Sequence, residues 1–208
     1  MTASDTLQMN DGKRARAKAA NRQSILDAGR IVFARIGYEA TTVRDIIRET
    51  NLAAGTFYNY FKSKEEVFEA ISDESTRRFR PILHKVREDS DDFVNFIHGA
   101  YRAFFQFLAD ENVEAIHRGA PHSAMIGVRV DTPEMKAVFD EIRNDIETMM
   151  PSDFAPGVDT EYLTAAAIGI AREVGDHMLR RRPADVEGAT HFASSLMLAA
   201  MTGFSAQG

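Results

Sequence analysis

From Arg22 onward the apolar residues of this chain recur at steps of three and four, and no stretch alternates apolar and polar residues as a half-buried strand would. Ile25, Ala28, Gly29, Val32, Phe33 and Ile36 make the first such stripe, with Gly37 as its stop signal. Thr42 followed by Asp45 is a helix-capping pattern, and Val43, Ile46 and Ile47 behind it predict a short helix ending near Thr50. Asn51 and Leu52 supply a turn, after which Ala53 or Ala54 opens another short helix reaching about Phe61. Further helices are predicted near 63–79 with a break or kink at Pro81, near 91–109, near 112–118, from Pro133 to about Met150, near 159–182 and near 185–204. Residues 119–132 read as a loop or irregular helix, and the segment PSDFAPGVD reads as a linker. The expected fold is all-α, with about nine helices.

The stretch GTFYNYFKSKEE, residues 55–66, crowds four aromatic rings into five positions and follows them with two lysines. On a helix Phe57 and Phe61 share one side, which assigns them to a core, while Thr56, Asn59 and Tyr60 turn to other sides. Ser63 with Glu66 is a second capping pattern, so one helix ends near Phe61 and the next starts at Ser63. Residues 42–61 therefore read as helix, tight turn, helix, behind a basic helix. In such a motif the second helix enters the major groove of DNA and the first lies across the backbone. Gly55 removes a side chain where backbones come close, Thr56, Tyr58 and Tyr60 offer hydroxyls, and Asn59 has the chemistry to read adenine.

Charge supports a polyanionic partner only when it is mapped along the chain. The net charge is −6, yet residues 1–64 hold eleven Lys or Arg against six Asp or Glu, a net +5, and residues 65–208 hold fourteen against twenty-five, a net −11. A DNA-binding protein needs positive charge only where it meets phosphates. Residues 1–20, with Lys13, Arg14, Arg16 and Lys18, are expected to be a flexible basic arm or the frayed start of a helix. The absence of cysteine excludes disulfides, thiolate zinc sites and thiol nucleophiles. The polar opening MTASDTLQMNDGKRARAKAA does not read as a signal peptide and no apolar run has membrane length, which makes the cytoplasm the expected compartment and a membrane partner unexpected.

Over residues 22–68 the sequence RQSILDAGRIVFARIGYEATTVRDIIRETNLAAGTFYNYFKSKEEVF resembles the N-terminal pattern of the tetracycline-repressor (TetR) family of bacterial transcriptional regulators, above all in G-T-F-Y-N-Y-F followed by K-S-K-E-E. The resemblance implies an N-terminal three-helix helix-turn-helix domain (21–66, after the arm at 1–20) and a long connecting helix. It also implies a C-terminal helical domain (67–208) that binds a ligand and dimerises. Matched position by position, Thr42 caps the second helix and touches phosphate, and Arg44 reaches DNA from that helix. Ala54, Gly55, Thr56, Tyr58, Asn59 and Tyr60 match the recognition helix, Lys64 matches a phosphate-contacting lysine, and Lys62 is a weaker candidate. Larger side chains stand at the position of Ala54 in some members, so this position contributes little base reading.

Beyond residue 68 the residues themselves carry the reading. On DDFVNFIHGAYRAFFQFLAD, Phe93, Phe96, Tyr101, Phe104 and Phe105 belong to a helix buried on more than one side, as core, as the lining of an apolar cavity, or as both. Met125 is grouped with them as a candidate ligand contact. His98, Glu173 and His177 are candidate polar contacts; Glu173 and His177, one turn apart, can form a pair, orient a ligand or join a metal site. No metal-ligand spacing, nucleophile elbow or phosphate loop is present, so no metal, cofactor or catalytic residue is expected. The small and apolar residues of TAAAIGIA and FASSLMLAAM suit close helix packing, either as an intramolecular hairpin or as the four-helix dimer interface that the resemblance implies. The reading is a homodimeric regulator, a repressor of a palindromic operator in double-stranded DNA, released by a small apolar or amphipathic ligand. The rivals are a DNA-binding protein without a ligand and, more remotely, a helical enzyme.

Overall fold

The structure, a computed structural model, describes residues 3–117, 132–152, 154 and 157–205. Among the described residues it holds eight α-helices and no strand: α1 (Ala3–Ile36), α2 (Val43–Glu49), α3 (Ala54–Phe57), α4 (Lys64–Asp89), α5 (Phe93–His117), α6 (Pro133–Met149), α7 (Thr160–Arg180) and α8 (Val186–Ser205). The predicted stripes place all of these. The helix expected separately at 112–118 is the end of α5, because Glu111 and Ala115 keep the buried face of Phe107 and Leu108 running. The segment expected as a loop at 119–132 lies outside the described residues except for Thr132, which caps α6 through a bond from the Met135 amide at 3.1 Å.

Two cores form, and α4 joins them. The first packs Ile25, Leu26, Val32 and Phe33 of α1 with Ile46, Phe57 and Phe61, and it takes in Val67, Phe68 and Ile71 of α4. Gly37 closes α1 with φ +83°, a left-handed conformation that glycine adopts without strain. At Gly29 a Cβ would stand 2.7 Å from Val67 Cγ1, so glycine is what lets α1 and α4 approach so closely. The second core packs α5 against α4, α7 and α8, with Phe96, Phe105, Ile146, Ala193, Met197 and Met201 fully buried.

Helix α4 does not break at Pro81 as expected. Proline deletes one backbone bond, but its ring faces solvent and the turns around it are anchored by buried Leu83, by Phe79 and by an Arg80–Glu141 ion pair to α6. Arg87–Asp145 at 2.6 Å and Thr132–Asp73 at 2.6 Å tie the same two helices together. At the other end, of the two readings of residues 1–20 the structure takes the helical one: α1 is continuous from Ala3, and its residues 12–20 are exposed.

Candidate nucleic-acid interface and ligand cavity

The turn between α1 and α2 is built from side-chain bonds to backbone. Thr41, buried, donates to the Gly37 carbonyl at 2.7 Å. Thr42 caps α2 in a complete box: its hydroxyl accepts from the Asp45 amide at 3.3 Å and its own amide donates to Asp45 Oδ2 at 3.0 Å. The Thr42 hydroxyl, which donates to Asp45 Oδ2 at 2.6 Å, and then the Thr42 amide on the same oxygen hold the Asp45 carboxyl below the usual carboxylate range. The second box is only half formed, because Ser63 accepts from the Glu66 amide at 3.3 Å while the Glu66 carboxylate reaches past it to the Lys62 amide at 2.7 Å.

The regular part of α3 ends at Phe57, short of the expected Phe61, and the chain continues in turns bonded from Asn59 N to Thr56 O at 3.2 Å, Tyr60 N to Phe57 O at 2.9 Å and Phe61 N to Phe57 O at 3.1 Å. Burial of Phe57 and Phe61 orients this segment. Ala54, Gly55, Tyr58 and Asn59 are exposed, whereas Thr56 and Tyr60 are half-buried and Tyr60 leans on the core. Beyond Gly55's own turn and chain neighbours, nothing among the described residues lies within 4 Å of where its Cβ would stand, so the space over this backbone is open to a partner. Arg44 is exposed on α2 and, among the described residues, has no carboxylate partner, in contrast to Arg30, Arg35 and Arg48, which pair with Glu74, Glu49 and Asp45.

Lys64, expected to meet phosphate, is held in place by bonds to backbone. Its Nζ donates to the Tyr38 and Glu39 carbonyls at 2.9 and 3.0 Å and stands 4.7 Å from the Tyr38 ring centre, so it staples the start of α4 to the α1–α2 turn. The sequence pattern marks the position, but a carbonyl pair from a distant turn leaves no trace in spacing.

In the C-terminal half, α4, α5, α6 and α7 enclose a cavity of about 220 Å³. Its wall is almost wholly apolar. Of the residues singled out from sequence, Phe96, Tyr101 and Phe104 line it. Phe93 and Phe105 are buried in the core beside it, where Phe93 packs on Phe154 at 5.8 Å and Phe105 stacks on Tyr101 at 6.0 Å. His98, Glu173 and His177 do not line it: their helix phase turns each to solvent. Met125 lies outside the described residues. Among the described residues no group of three or more His, Asp or Glu is placed to hold a metal ion. The Tyr101 hydroxyl is buried and donates to the Ala167 carbonyl at 3.2 Å, and burial pushes its pKa up.

Wall residues missed from sequence include Phe79 and Leu83 of α4, Ala100 of α5, Met135, Val138, Phe139, Ile142 and Ile146 of α6, and Ile168 and Arg172 of α7. The α6 set recurs at three- and four-residue steps, a signal that predicts a helix without saying what its apolar face meets. Phe79 meets Phe104 edge-on at 5.3 Å, so α4, which carries the first core at its other end, forms part of the cavity wall. On the outside of α7 and α8, Tyr162, Phe192 and Leu196 are exposed at 77%, 58% and 45%. Among the described residues no helix is long and apolar enough to cross a membrane.

Residues 25–71, which hold the first core and the helix-turn-helix, match the family model for bacterial regulatory proteins of the tetR family. The chain belongs to the TetR family. It is 27% identical over 184 residues to the HTH-type transcriptional regulator TcmR of Streptomyces glaucescens, covering 85% of this chain and 80% of TcmR. Its fold is similar to that of a putative TetR-family transcriptional regulator from Syntrophomonas wolfei, at TM-score 0.67 and 17% identity over 89% of this chain and 96% of that one. It is also similar to SmeT, the repressor of a Stenotrophomonas maltophilia multidrug efflux pump, in complex with triclosan, at TM-score 0.59 and 20% identity over 87% and 91% of the two chains. Both likenesses are of fold. As a TetR-family protein the chain is a DNA-binding, helix-turn-helix transcription regulator.

Proposed function

We propose that this TetR-family regulator is a homodimeric repressor that binds a palindromic operator and leaves it when a small apolar or amphipathic ligand enters the cavity. The observation that carries this reading is the shared helix: α4 lends Phe79 and Leu83 to the cavity wall and Val67, Phe68 and Ile71 to the DNA-binding core. A ligand that needs more room than about 220 Å³ must move one or more of the four wall helices, and we assign that movement to α4 and α6. Because α4 is tied to α6 by Arg80–Glu141 and Arg87–Asp145, the displacement passes to the first core as a tilt of one packed unit. The fold shared with a triclosan-bound repressor supports a ligand of this class without naming it.

Thr42, Arg44, Ala54, Gly55, Thr56, Tyr58, Asn59 and Tyr60 are the proposed DNA-facing residues, with Lys64 setting the position of α4 beneath them. The proposed ligand-facing set is Phe96, Tyr101 and Phe104 with the walls from α4, α6 and α7, and Arg172 supplies the one charged side chain among the wall residues. Dimerisation is assigned to α7 and α8, whose exposed Tyr162, Phe192 and Leu196 want an apolar partner face. A dimer also explains specificity, since two domains reading half-sites about 34 Å apart recognise a longer sequence than one.

Reciprocity tests the mechanism. A thermal-shift screen of apolar and amphipathic compounds finds a binder, which is then titrated with and without a duplex selected by the protein from a random library. Ligand affinity is expected to fall in the presence of DNA by the factor by which ligand weakens DNA binding, about 5- to 150-fold. Equal affinity in both conditions would remove the inducer and leave a DNA-binding regulator without one.

A further inference from the structure

We infer that Arg14, Lys18 and Arg22, on the exposed N-terminal half of α1, form an additional contact surface for the DNA phosphate backbone, continuous with the recognition segment. The inference rests on the DNA-binding reading above.

Three observations combine. First, from Gly12 to Arg22 the chain carries Lys13, Arg14, Arg16, Lys18 and Arg22 and no acidic residue, although the protein as a whole is at −6. None of these five cations has an ion-pair partner among the side chains described, those from Gly12 onward, whereas Arg30, Arg35 and Arg48 nearby are all paired with carboxylates. Second, the segment is helical, so register matters: Arg14, Lys18 and Arg22 stand at four-residue steps and share one face, about 6 Å apart along the axis. Third, the direction of that face is known. The Arg22 guanidinium lies 5.3 Å over the ring of Phe61, the residue that closes the recognition segment, so the stripe starts at that segment and runs outward for about 12 Å.

The same turns bury nothing. Residues 12–20 are exposed, and Ala15, Ala17, Ala19 and Ala20 favour helix without giving it anything to pack on. A solvated helix end of this kind is marginal by itself, and its cations repel one another. A regular row of phosphates relieves both defects, by neutralising the charge and by ordering the turns it touches. Such contacts position the protein and add affinity, but they carry no base preference.

The test uses the full chain and a duplex enriched by the wild-type protein from a random library. Arg14→Gln with Lys18→Gln keeps helix-forming residues at two exposed positions and spares the Arg22–Phe61 contact; a second variant adds Arg22→Gln. For the double variant the slope of log K against log salt is expected to become shallower by about 0.9 for each phosphate that the protein no longer neutralises, so by nearly 2 per protomer. The base preference of the selected site stays as it is, and Arg22→Gln adds a further step. An unchanged slope with wild-type binding intact overturns the inference, and so does a changed base preference with an unchanged slope. Failure of the wild-type protein to enrich any duplex would instead defeat the DNA-binding reading itself.

Discussion

The two ends of α4 belong to regions that treat charge and space in opposite ways. Around the first core the interior closes on Phe33, Phe57 and Phe68, and among the described residues Arg44, unlike Arg30, Arg35 and Arg48, has no carboxylate partner. Around the second core the interior keeps a cavity, and Arg78, Arg80, Arg87, Arg102, Arg143, Arg180 and Arg181 all carry acidic partners. A unit that must present a fixed surface to a stiff polyanion gains from a tight interior and free positive charge. A unit that must admit different contents gains from slack inside and needs no free positive charge, in keeping with the net −11 beyond residue 64.

The contrast in packing is the easiest part to break. Phe57→Ala is expected to cost about 3–5 kcal/mol of stability in chemical denaturation, because a closed core cannot refill the hole, and DNA binding goes with it. Phe104→Ala, on the cavity wall, is expected to cost clearly less and to alter ligand affinity instead. Equal losses at the two sites would mean that the cavity wall is as tightly constrained as the first core.

Base reading and ligand entry separate the regions next. Asn59→Ala is expected to lose about 1–3 kcal/mol at one base pair, measured by competition among single-base operator variants, with ligand affinity unchanged. Ala100→Trp, which fills the cavity from α5, is expected to weaken ligand by about tenfold or more, roughly 1.4 kcal/mol, while operator affinity without ligand stays intact. A variant that loses operator binding as well would place the resting state of the DNA-binding unit under control of cavity volume alone.

The smallest effect concerns the cap of α2. Thr42→Ala is expected to cost about 1 kcal/mol of stability. Asp45 has a folded-state pKa lowered by its bonds from Thr42, so its stabilising contribution is complete above the ordinary carboxylate range and is lost as pH falls through the lowered value. Denaturation at neutral pH and near pH 3 should therefore differ more in the wild-type protein than in Thr42→Ala, and an equal difference would detach Asp45 from the cap.

Lys64 shows where reading along the chain stops. Its position within K-S-K-E-E is plain, yet nothing there shows that its ammonium group donates to the carbonyls of Tyr38 and Glu39, some 25 residues earlier. A backbone carbonyl has no letter in the sequence, so a lysine aimed at phosphate and one stapling a turn look alike. His98, Glu173 and His177 stand off the cavity wall for a related reason. A polar residue among apolar neighbours is drawn toward the cavity by composition, but a rotation of about 100° per residue turns it out to solvent.

What the amino-acid sequence determined by itself is everything that depends on neighbours within a turn or two: the helical period, the Thr42–Asp45 cap, the stop at Gly37, the burial of Phe57 and Phe61, and the uneven charge. Tertiary structure alone decided which apolar faces meet. Met135, Val138, Phe139, Ile142 and Ile146 form an ordinary amphipathic stripe, and only the approach of α6 to α4, α5 and α7 leaves that stripe facing space rather than side chains. Spacing specifies the direction in which a side chain points along its own helix, whereas the gap in front of it depends on where other helices stop, and that is set by contacts among residues far apart in the chain.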